Sequence, residues 1–504
     1  MAAEVSVIRL FEEQAGRWPD RPAVVAQDGS LTYRELDQLS GRIARVLRAT
    51  NPPGDTPVAV MADRGTLQIA GILATMRVAA PYFCVDLEQP ASRQDGQLAD
   101  SGARVVLTDR PRPAVRGDVV DMTQLPTVTT MPEATDSELA YIVYTSGSSG
   151  TPKGVAVTGA GLANYSRYIV DLLDCPASGG AFASVTSLAT DLGNTAVFPA
   201  LISGGCLHLV STDVARDPVD FAAYMQNHRI DYLKITPSHL SALLDYPDPD
   251  VLPRRALVLG GETARWDLVD SVRRLGDCRI INHYGPTETT VGSLTHEVAQ
   301  VPRSAHRAAA SVPIGGPIAA TWIHVVDQRI QPVPVGETGE LLVSGAGLAQ
   351  GYWKSPELTA ERFIFLDDGS RAYRTGDVVR QLDDGAVEFI GRADGQLKVR
   401  GHRVEPGEIE TLLCRHPEVS QAVVLPTVDE FNGTSLTGYV VAVPGGRPTP
   451  VELLKYLAEL LPSHLVPAAI TVLKRLPFLA SGKVDRAALS QQESLPIVQG
   501  MVRT

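Results

Sequence analysis

The sequence of 504 residues has no apolar run as long as the roughly 20 residues that a membrane-spanning helix needs. Its first residues also lack the uninterrupted apolar stretch of a signal peptide, because Glu4, Arg9, Glu12 and Glu13 interrupt it. These two absences predict a soluble, cytoplasmic protein that has no membrane partner. The net charge of -12 also disfavours non-specific binding to nucleic acid, so no nucleic-acid partner is expected.

Cysteine and lysine are both scarce. The five cysteines are an odd number, are widely spaced and include no C-x-x-C pair. This pattern argues against a disulfide framework or a structural zinc site and favours reduced thiols. Only seven of the 45 basic residues are lysines, so the position of each lysine is informative.

The length suggests roughly two to four domains, and the texture of the sequence changes along the chain. Up to about residue 390, helical patterns alternate with short apolar runs, namely VAVM (58–61), RVVLT (104–108), ALVLG (256–260) and RIIN (279–282). Such runs are typical of buried strands in a parallel sheet covered by helices. From about Trp322 the chain changes to alternating strands and turns, which predicts a β-barrel-like part.

A compact α+β tail follows, in which VELLKYLAELLP (451–462) has an amphipathic helical pattern. We place a domain boundary near Asp394 and Gly395, between two strand-like runs. The predicted fold class is therefore α/β, with a large N-terminal domain over 1–393 and a small, mobile C-terminal domain over 394–504.

The most specific local motif is YTSGSSGTPKG (144–154), directly after the apolar run LAYIV. Its glycines and hydroxyl side chains can turn toward phosphate oxygens, while Lys153 adds a point charge. The motif does not satisfy the Walker A pattern G-x-x-x-x-G-K-[ST]. From spacing alone, a flexible Ser/Gly turn with a solvated lysine is the alternative.

This loop resembles the signature of the adenylate-forming superfamily, which comprises acyl-CoA synthetases, luciferases and the adenylation domains of nonribosomal peptide synthetases. Further segments that resemble its motifs follow in order over nearly the whole chain. They are LTYREL (31–36), NHYGPTETT (282–290), GELLVSGAGLAQGYW (339–353), YRTGDV (373–378), GRADGQLKVRGHRVEPGEIE (391–410) and SGKVDR (481–486). The resemblance implies an enzyme that uses Mg²⁺ and ATP to convert a carboxylate into an acyl-AMP.

The resemblance also implies roles for individual residues. Glu288 would hold Mg²⁺, Asn282 and Tyr284 would contact the adenine, and Asp377 would accept the ribose hydroxyls. Lys153 and Lys483 would act on the phosphates and the reacting carboxylate. The complete set implied for ATP is Thr145, Ser146, Gly147, Ser148, Ser149, Gly150, Thr151, Lys153, Asn282, Tyr284, Gly285, Thr287, Asp377 and Arg392.

Two further positions are implied to control motion. Asp394 occupies the hinge position of the family, about which the C-terminal domain would rotate between adenylation and thioester formation. Lys398 lies on the loop that would face the active site in the second state. Lys483, in the C-terminal tail, would stabilise the transition state of adenylation.

In the peptide-synthetase branch a pocket aspartate binds the α-amine of the substrate, and the matching residue here is Asp191. Because a buried, unpaired carboxylate is costly, Asp191 favours an amino acid over an acyl or aryl acid. A helix N-cap is the alternative role for Asp191. The complete pocket implied by the resemblance is Asp191, Leu192, Thr195, Lys234, Val258, Gly260, His283, Val291, Gly292 and Lys483.

Lys234, within the apolar run YLKIT, is the most informative pocket residue. A lone lysine in a strand usually extends to water, but a buried ammonium requires an anion. We expect His283 to supply a second donor, Gly260 and Gly292 to leave room, and Asp191 and Thr195 to share one helix face. The set resembles pockets for aspartate, and a β-substituted aspartate or asparagine stays open, as does the choice between α- and β-carboxylate.

No carrier-domain serine and no condensation motif H-H-x-x-x-D-G are apparent, so we expect a stand-alone enzyme or an excised domain. The acyl group would then pass to the phosphopantetheine of a separate carrier protein. Two alternatives remain at this stage. One is an acyl-CoA or aryl-CoA ligase, and the other is a catalytically silent relative that binds nucleotide as a scaffold.

Overall fold

A computed structural model of the protein describes residues 6–50, 56–110, 117–125, 138–146, 152–177, 179–298, 311–393, 397–399, 402–429, 433–477 and 488–489. The chain divides into two compact units. Unit 1 comprises residues 1–87, 94–145 and 153–395, and unit 2 comprises residues 88–93, 146–152 and 396–504. The predicted boundary at Asp394 and Gly395 lies outside the described residues.

The described helices are distributed along the whole chain. They are α1 (Val7–Arg17), α2 (Tyr33–Thr50), α3 (Thr66–Arg77), α4 (Ala91–Ser101), α5 (Gly159–Leu172), α6 (Asn194–Ser203), α7 (Thr212–Arg216), α8 (Pro218–Asn227), α9 (Pro237–Leu244), α10 (Trp266–Leu275), α11 (Pro356–Arg362), α12 (Pro406–Arg415) and α13 (Pro450–Ala458). Short 3₁₀ turns occur at Asp191–Gly193, Pro249–Val251, Thr287–Thr289 and Ser463–Leu465.

A nine-stranded sheet forms one layer of unit 1. In chain order its strands are β1 (Pro22–Ala26), β2 (Gly29–Thr32), β9 (Ala181–Ser184), β10 (Cys206–Leu209), β11 (Tyr232–Ile235), β12 (Ala256–Gly260), β13 (Arg279–Tyr284), β14 (Leu294–Glu297) and β15 (Gly316–Pro317). Their spatial order is β15-β14-β13-β12-β11-β9-β10-β1-β2, and β9 to β13 are parallel. Strands β11 and β12 are buried along their whole length, as strands covered by helices on both faces should be.

A seven-stranded sheet forms a second layer of unit 1. In chain order its strands are β3 (Val58–Met61), β4 (Tyr82–Cys84), β5 (Val105–Thr108), β6 (Asp118–Asp121), β7 (Leu139–Thr145), β8 (Lys153–Thr158) and β18 (Gly351–Tyr352). The hairpin of β7 and β8 pairs Thr145 with Lys153 next to its connecting loop. This hairpin holds both ends of the loop that carries the phosphate motif.

An antiparallel sheet of five strands completes unit 1, as the change of texture near Trp322 predicts. Its strands are β16 (Thr321–Val326), β17 (Thr338–Gly345), β19 (Phe363–Phe365), β20 (Arg371–Gln381) and β21 (Val387–Arg392). The pairing of β20 with β21 places Asp377 opposite Arg392.

Unit 2 contains its own sheets and hydrophobic core. Strands β24 (Val419–Asp429), β25 (Gly433–Ala442) and β26 (Ala469–Leu473) form one sheet, and β22 (Leu397–Val399) pairs with β23 (His402–Val404). Helices α12 and α13 contribute buried apolar side chains to the core, among them Ile409, Leu413, Leu453 and Leu457.

The predicted fold class is confirmed, and the four apolar runs of the N-terminal part form β3, β5, β12 and β13. The predicted helix over 451–462 begins with a capping box of Thr449 and Glu452 but ends at Ala458. Pro462 disfavours a longer helix, because a proline has no backbone N–H to donate to the carbonyl of Ala458 four residues earlier.

Candidate functional site

The phosphate motif lies at the β7–β8 connection. Thr145 and Lys153 end and begin the two strands, and the hydroxyl of Thr145 donates to the backbone oxygen of Lys153 at 3.5 Å. Ser146 is buried. Gly147, Ser148, Ser149, Gly150 and Thr151 lie outside the described residues.

Glu288 lies on the 3₁₀ turn Thr287–Thr289, which follows β13, and is completely buried. The hydroxyl of Tyr352 donates to Oε1 of Glu288 at 2.7 Å. Nζ of Lys153 lies 5.0 Å from the centre of the same tyrosine ring, within the range of a cation–π contact. Tyr352 lies in the motif over 339–353 but had no predicted role, and it links the predicted magnesium ligand to the predicted phosphate-binding lysine.

The turn after Glu288 adopts an unusual backbone. Thr290 and Val291 have φ angles of 59° and 62°, although β-branched residues rarely occupy the left-handed region. The hydroxyl of Thr290 donates to the carbonyl of Gly347 at 2.6 Å, which helps to hold the turn. Strained backbone of this kind is concentrated at functional sites.

The predicted nucleotide residues Tyr284, Asp377 and Arg392 form one hydrogen-bonded group. The hydroxyl of Tyr284 donates to Oδ2 of Asp377, and Nη1 of Arg392 donates to Oδ1 at 2.6 Å. Asp377 is 2% exposed, so these two donors hold a carboxylate that is almost completely buried. The arrangement fixes the orientation of the carboxylate plane.

Asn282 is more constrained than its predicted role implied. Its side-chain amide donates to the backbone oxygens of Val312 and Pro313 at 3.1 and 2.8 Å. Because both amide hydrogens are used in these bonds, Oδ1 is the atom that can accept a hydrogen bond from a ligand. Gly285 lies two residues C-terminal to His283, and a side chain there would overlap the backbone of Gly292.

Asp191 lies on the 3₁₀ turn Asp191–Gly193 that leads into α6. Its Oδ2 is buried and has no hydrogen-bond partner among the described residues. Burial raises the pKa of Asp191 to about 6, the nearby Glu288 raises it further, and Thr287 and the backbone of Val291 oppose the shift. One oxygen of the carboxylate, Oδ2, is thus left without a partner among the described residues, although hydrogen bonds stabilise the group as a whole.

One alternative for Asp191 is wrong, since it does not cap α6: the N-cap residue of that helix is Gly193. The expectation that Asp191 and Thr195 share one helix face stays a prediction, with Asp191 on the 3₁₀ turn that runs directly into α6 at Asn194. Leu192, also on that turn, is half-buried.

Three neighbouring strands place the other predicted pocket residues on one face of the sheet. Lys234 on β11 pairs with Val258 on β12, and Gly260 on β12 pairs with His283 on β13. Residues in register, and residues two apart on a strand, point to the same face. Lys234 and His283 are each 3% exposed, so the lysine does not extend to water.

Lys234 and His283 begin a chain of hydrogen bonds. Nζ of Lys234 lies 2.9 Å from Nδ1 of His283, and Nε2 of His283 lies 2.8 Å from the hydroxyl of Tyr165. That hydroxyl also lies 2.8 Å from Oγ1 of Thr195. Since both ring nitrogens of His283 contact protein side chains, the expected second donor to a substrate is engaged within the protein.

The two pocket glycines also differ from expectation. A Cβ at Gly260 would overlap Nζ of Lys234, and a Cβ at Gly292 would overlap the ring of His283. The space beside each glycine is therefore occupied by a pocket side chain and is not left open for a substrate. The absence of these two Cβ atoms allows the buried lysine and histidine to adopt their positions.

Asp394 and Lys483 lie outside the described residues, as does the side chain of Lys398. Within the described part of the chain, no cluster of three or more His, Cys, Asp or Glu could hold a metal ion. No described helix is sufficiently long and apolar to cross a membrane. All five cysteines are free in this structure.

Comparison with known proteins identifies the family. Residues 11–353 match the family model of AMP-binding enzymes, and residues 408–483 match that of the C-terminal domain of AMP-binding enzymes. The chain is 36% identical over 499 residues to bacitracin synthase 3 of Bacillus licheniformis, which covers 97% of the chain and 8% of the relative. It is 37% identical to surfactin synthase subunit 2 of Bacillus subtilis (strain 168), which covers 96% of the chain and 14% of the relative.

The solved structure of holo-PA1221, described as an NRPS protein containing adenylation and PCP domains, matches with a TM-score of 0.85 at 28% identity. The match covers 97% of this chain and 84% of that one. The chain thus spans only a small part of each of these two synthetases, and it spans most of the chain in the solved structure. The predicted relationship is confirmed: the chain belongs to the AMP-binding enzymes, a family of adenylate-forming ligases.

Proposed function

We propose that the chain activates an amino acid with a short acidic side chain, L-aspartate or a β-substituted aspartate, as an aminoacyl-AMP. The observation that carries this proposal is the buried Oδ2 of Asp191, which has no partner among the described residues. A substrate ammonium would supply the missing partner and would stabilise the ionised carboxylate. An acyl or aryl acid has no amine and would leave the buried Oδ2 of Asp191 without that partner.

The side chain of the substrate would meet Lys234. Its ammonium is buried on the sheet face that carries the other pocket residues, and Nζ lies 2.9 Å from Nδ1 of His283. A substrate carboxylate would place a negative charge beside this buried ammonium. Because Lys234 and His283 also fill the space beside Gly260 and Gly292, the site favours a side chain as short as that of aspartate.

The nucleotide would be held by the residues around Asp377. This carboxylate, oriented by Tyr284 and Arg392, would accept the ribose hydroxyls, since each oxygen has a further lone pair. Oδ1 of Asn282 would accept from the amino group of adenine. Thr145, Ser146 and Lys153 mark the ends of the loop that would contact the phosphates.

Enzymes of this family use ATP and Mg²⁺. The carboxylate of Glu288 fits Mg²⁺, an ion usually held by one or two carboxylates together with substrate phosphates and water. When bound, Mg²⁺ would neutralise negative charge on the phosphates. The hydroxyl of Tyr352 would orient Glu288, and Lys153 would contribute a positive charge to the same phosphates. The role of Lys483 in this step stays a prediction from the resemblance.

We further propose that the activated amino acid passes to the phosphopantetheine thiol of a carrier protein. The similarity to holo-PA1221, whose description includes a PCP domain, supports this acceptor. Free coenzyme A is the acceptor that an acyl-CoA ligase would use instead. Transfer assays with each thiol would distinguish the two.

The central test is ATP–pyrophosphate exchange with each of the twenty common amino acids and with 3-methyl- and 3-hydroxyaspartate. We expect exchange with aspartate or a β-substituted aspartate to exceed that with apolar amino acids by up to about 10⁴-fold, because the site contains a buried charge. Asparagine should be rejected less strongly, since its amide keeps one acceptor oxygen. A best substrate with an apolar or aromatic side chain would contradict the pocket assignment.

A further inference from the structure

Tyr165 lies between two predicted pocket residues but matches none of the sequence motifs. It is on α5 and is 1% exposed, and its ring contacts that of His283 edge-on with centroids 5.7 Å apart. Its hydroxyl lies 2.8 Å from both Nε2 of His283 and Oγ1 of Thr195. It therefore connects α5, α6 and β13 at the pocket.

The charge on Lys234 gives this chain of hydrogen bonds a direction. An ammonium has three donors and no acceptor, so Nδ1 of His283 must accept from Nζ. A neutral imidazole that accepts at Nδ1 carries its hydrogen on Nε2, where it faces Tyr165. The phenol oxygen then accepts from His283, and its own hydrogen is directed to Thr195.

We propose that Tyr165 is a positioning residue for substrate selection: by accepting the Nε2 hydrogen of His283, it keeps Nδ1 as the acceptor that holds Lys234 in the pocket. The functional part of this inference rests on the proposed activation of aspartate. With the opposite tautomer, an Nδ1 hydrogen would face the ammonium, and the hydrogen bond from Lys234 to His283 would be lost. Tyr165 thus acts on the substrate through two other side chains.

Two observations support this role. Burial raises the pKa of Tyr165 above its usual range, so the phenol keeps the hydrogen that it directs to Thr195. The ring of His283 is also confined from the side of Gly292, where even a Cβ would overlap it. The ring therefore has little freedom to seek another partner for Nε2.

The tautomer can be measured without any substrate. We would label the histidine rings of the full chain with ¹⁵N, assign His283 by its substitution, and compare the wild type with Tyr165→Phe. Tyr168→Phe is a matched control, because Tyr168 lies on the same helix and its hydroxyl bonds to Thr295 at 2.6 Å. We expect hydrogen on Nε2 in the wild type and in the control, and a shift of that hydrogen toward Nδ1 in Tyr165→Phe.

The kinetic readout separates positioning from general disruption. In pyrophosphate exchange, Tyr165→Phe should raise KM for aspartate by about 10-fold, the effect of leaving one buried donor without its acceptor, and should leave KM for ATP unchanged. Tyr168→Phe should change neither value. If the wild type shows no exchange with aspartate, the proposed function fails, while the ring spectra still decide the role of Tyr165.

A second variant guards against misfolding of Tyr165→Phe. In Thr195→Val the phenol loses its acceptor and is free to donate to Nε2, which should place the histidine hydrogen on Nδ1. If Tyr165→Phe folds and its His283 ring still carries the hydrogen on Nε2, the proposal is overturned. If Tyr165→Phe does not fold, the same result in Thr195→Val overturns it. A shift of the hydrogen to Nδ1 in the variant that is measured, with no shift in Tyr168→Phe, would support the proposal.

Discussion

Lys234 reaches over one strand to contact His283 on the next. The two residues lie on β11 and β13, with β12 between them, and Nζ is 2.9 Å from Nδ1. The lysine side chain passes beside Gly260, the position on β12 where a Cβ would overlap it. The position of the ammonium is therefore set by the protein before any substrate binds.

Lys234→Met should abolish exchange with aspartate and leave ATP affinity largely intact, since the lysine is assigned to the side chain of the substrate and not to the nucleotide. The expected loss is about 2–5 kcal/mol, the range for removing one partner of a buried charge pair. Exchange assays and calorimetric titration with ATP would measure the two effects. Lys354→Met, at an exposed lysine, is the control, and equal weakening of both ligands would contradict the assignment.

Asp191→Asn should lose activity but gain stability. Burial raises the pKa of Asp191 from its ordinary value of 3.8 to about 6, so the folded protein binds this proton more tightly than the unfolded chain. Ionisation therefore costs stability progressively as the pH rises from about 4 to 6. We expect the stability of the variant relative to wild type to grow over this window, to at most about 3 kcal/mol.

Urea unfolding of both proteins without substrate, at about pH 4.5 and pH 8, would measure this difference. Because the two proteins are compared at the same pH, the contributions of the other titrating groups to the free energy of unfolding cancel. A variant that is equally or less stable at the higher pH would show that Asp191 is not a strained charge.

Gly292→Ala should impair aspartate activation through steric displacement of His283. A Cβ at this position would overlap the imidazole, so the ring, and with it Lys234, would have to move. The expected result is a higher KM for aspartate, measured by pyrophosphate exchange. Gly316→Ala on β15 is a matched control, because a Cβ there meets no atom within 4 Å. An unchanged KM in Gly292→Ala would argue against a fixed histidine.

Unit 2 should lose stability in mild acid. Burial lowers the pKa of His402 from 6.5 to about 4, and its ring stacks on that of His464 with centroids 3.7 Å apart. Since the unfolded chain takes up this proton first, stability is complete above about pH 6.5 and decreases by up to about 3 kcal/mol as the pH falls to 4.

His402→Phe keeps an aromatic ring at this position but cannot titrate, so it should reduce the pH dependence. Amide hydrogen exchange of β25 would measure it, with both proteins compared at each pH so that intrinsic exchange rates cancel. The same acid sensitivity in both proteins would assign the effect to other groups.

The sequence predicted those strands in which every residue is both apolar and buried. VAVM and ALVLG form β3 and β12 without a change of boundary, because strands buried on both faces require uninterrupted apolar residues. The i, i+4 spacing of Asp191 and Thr195 did not reveal that the first residue lies on a 3₁₀ turn and the second on α6. The charged residues Asp191 and Lys234 could be identified from the sequence, whereas the neighbouring sequence did not indicate which side chains they contact.

Tyr165 illustrates why the partners were missed. It is 30 residues from Thr195 and 118 from His283 along the chain, and its pattern is that of an ordinary apolar helix face. Only the tertiary fold, which places α5 beside α6 and the end of β13, brings the three side chains together. The same holds for Tyr352, which reaches Glu288 from 64 residues away.

The contact between His283 and Gly292 restricts the order in which a pocket of this kind can change during evolution. The three atoms nearest to a Cβ at Gly292 all belong to the His283 ring, so a larger residue is excluded there while the histidine remains. Replacement of His283 by a small residue removes that exclusion. A lineage that alters its substrate can therefore accept the histidine change first and the glycine change second, whereas the reverse order passes through a disrupted pocket.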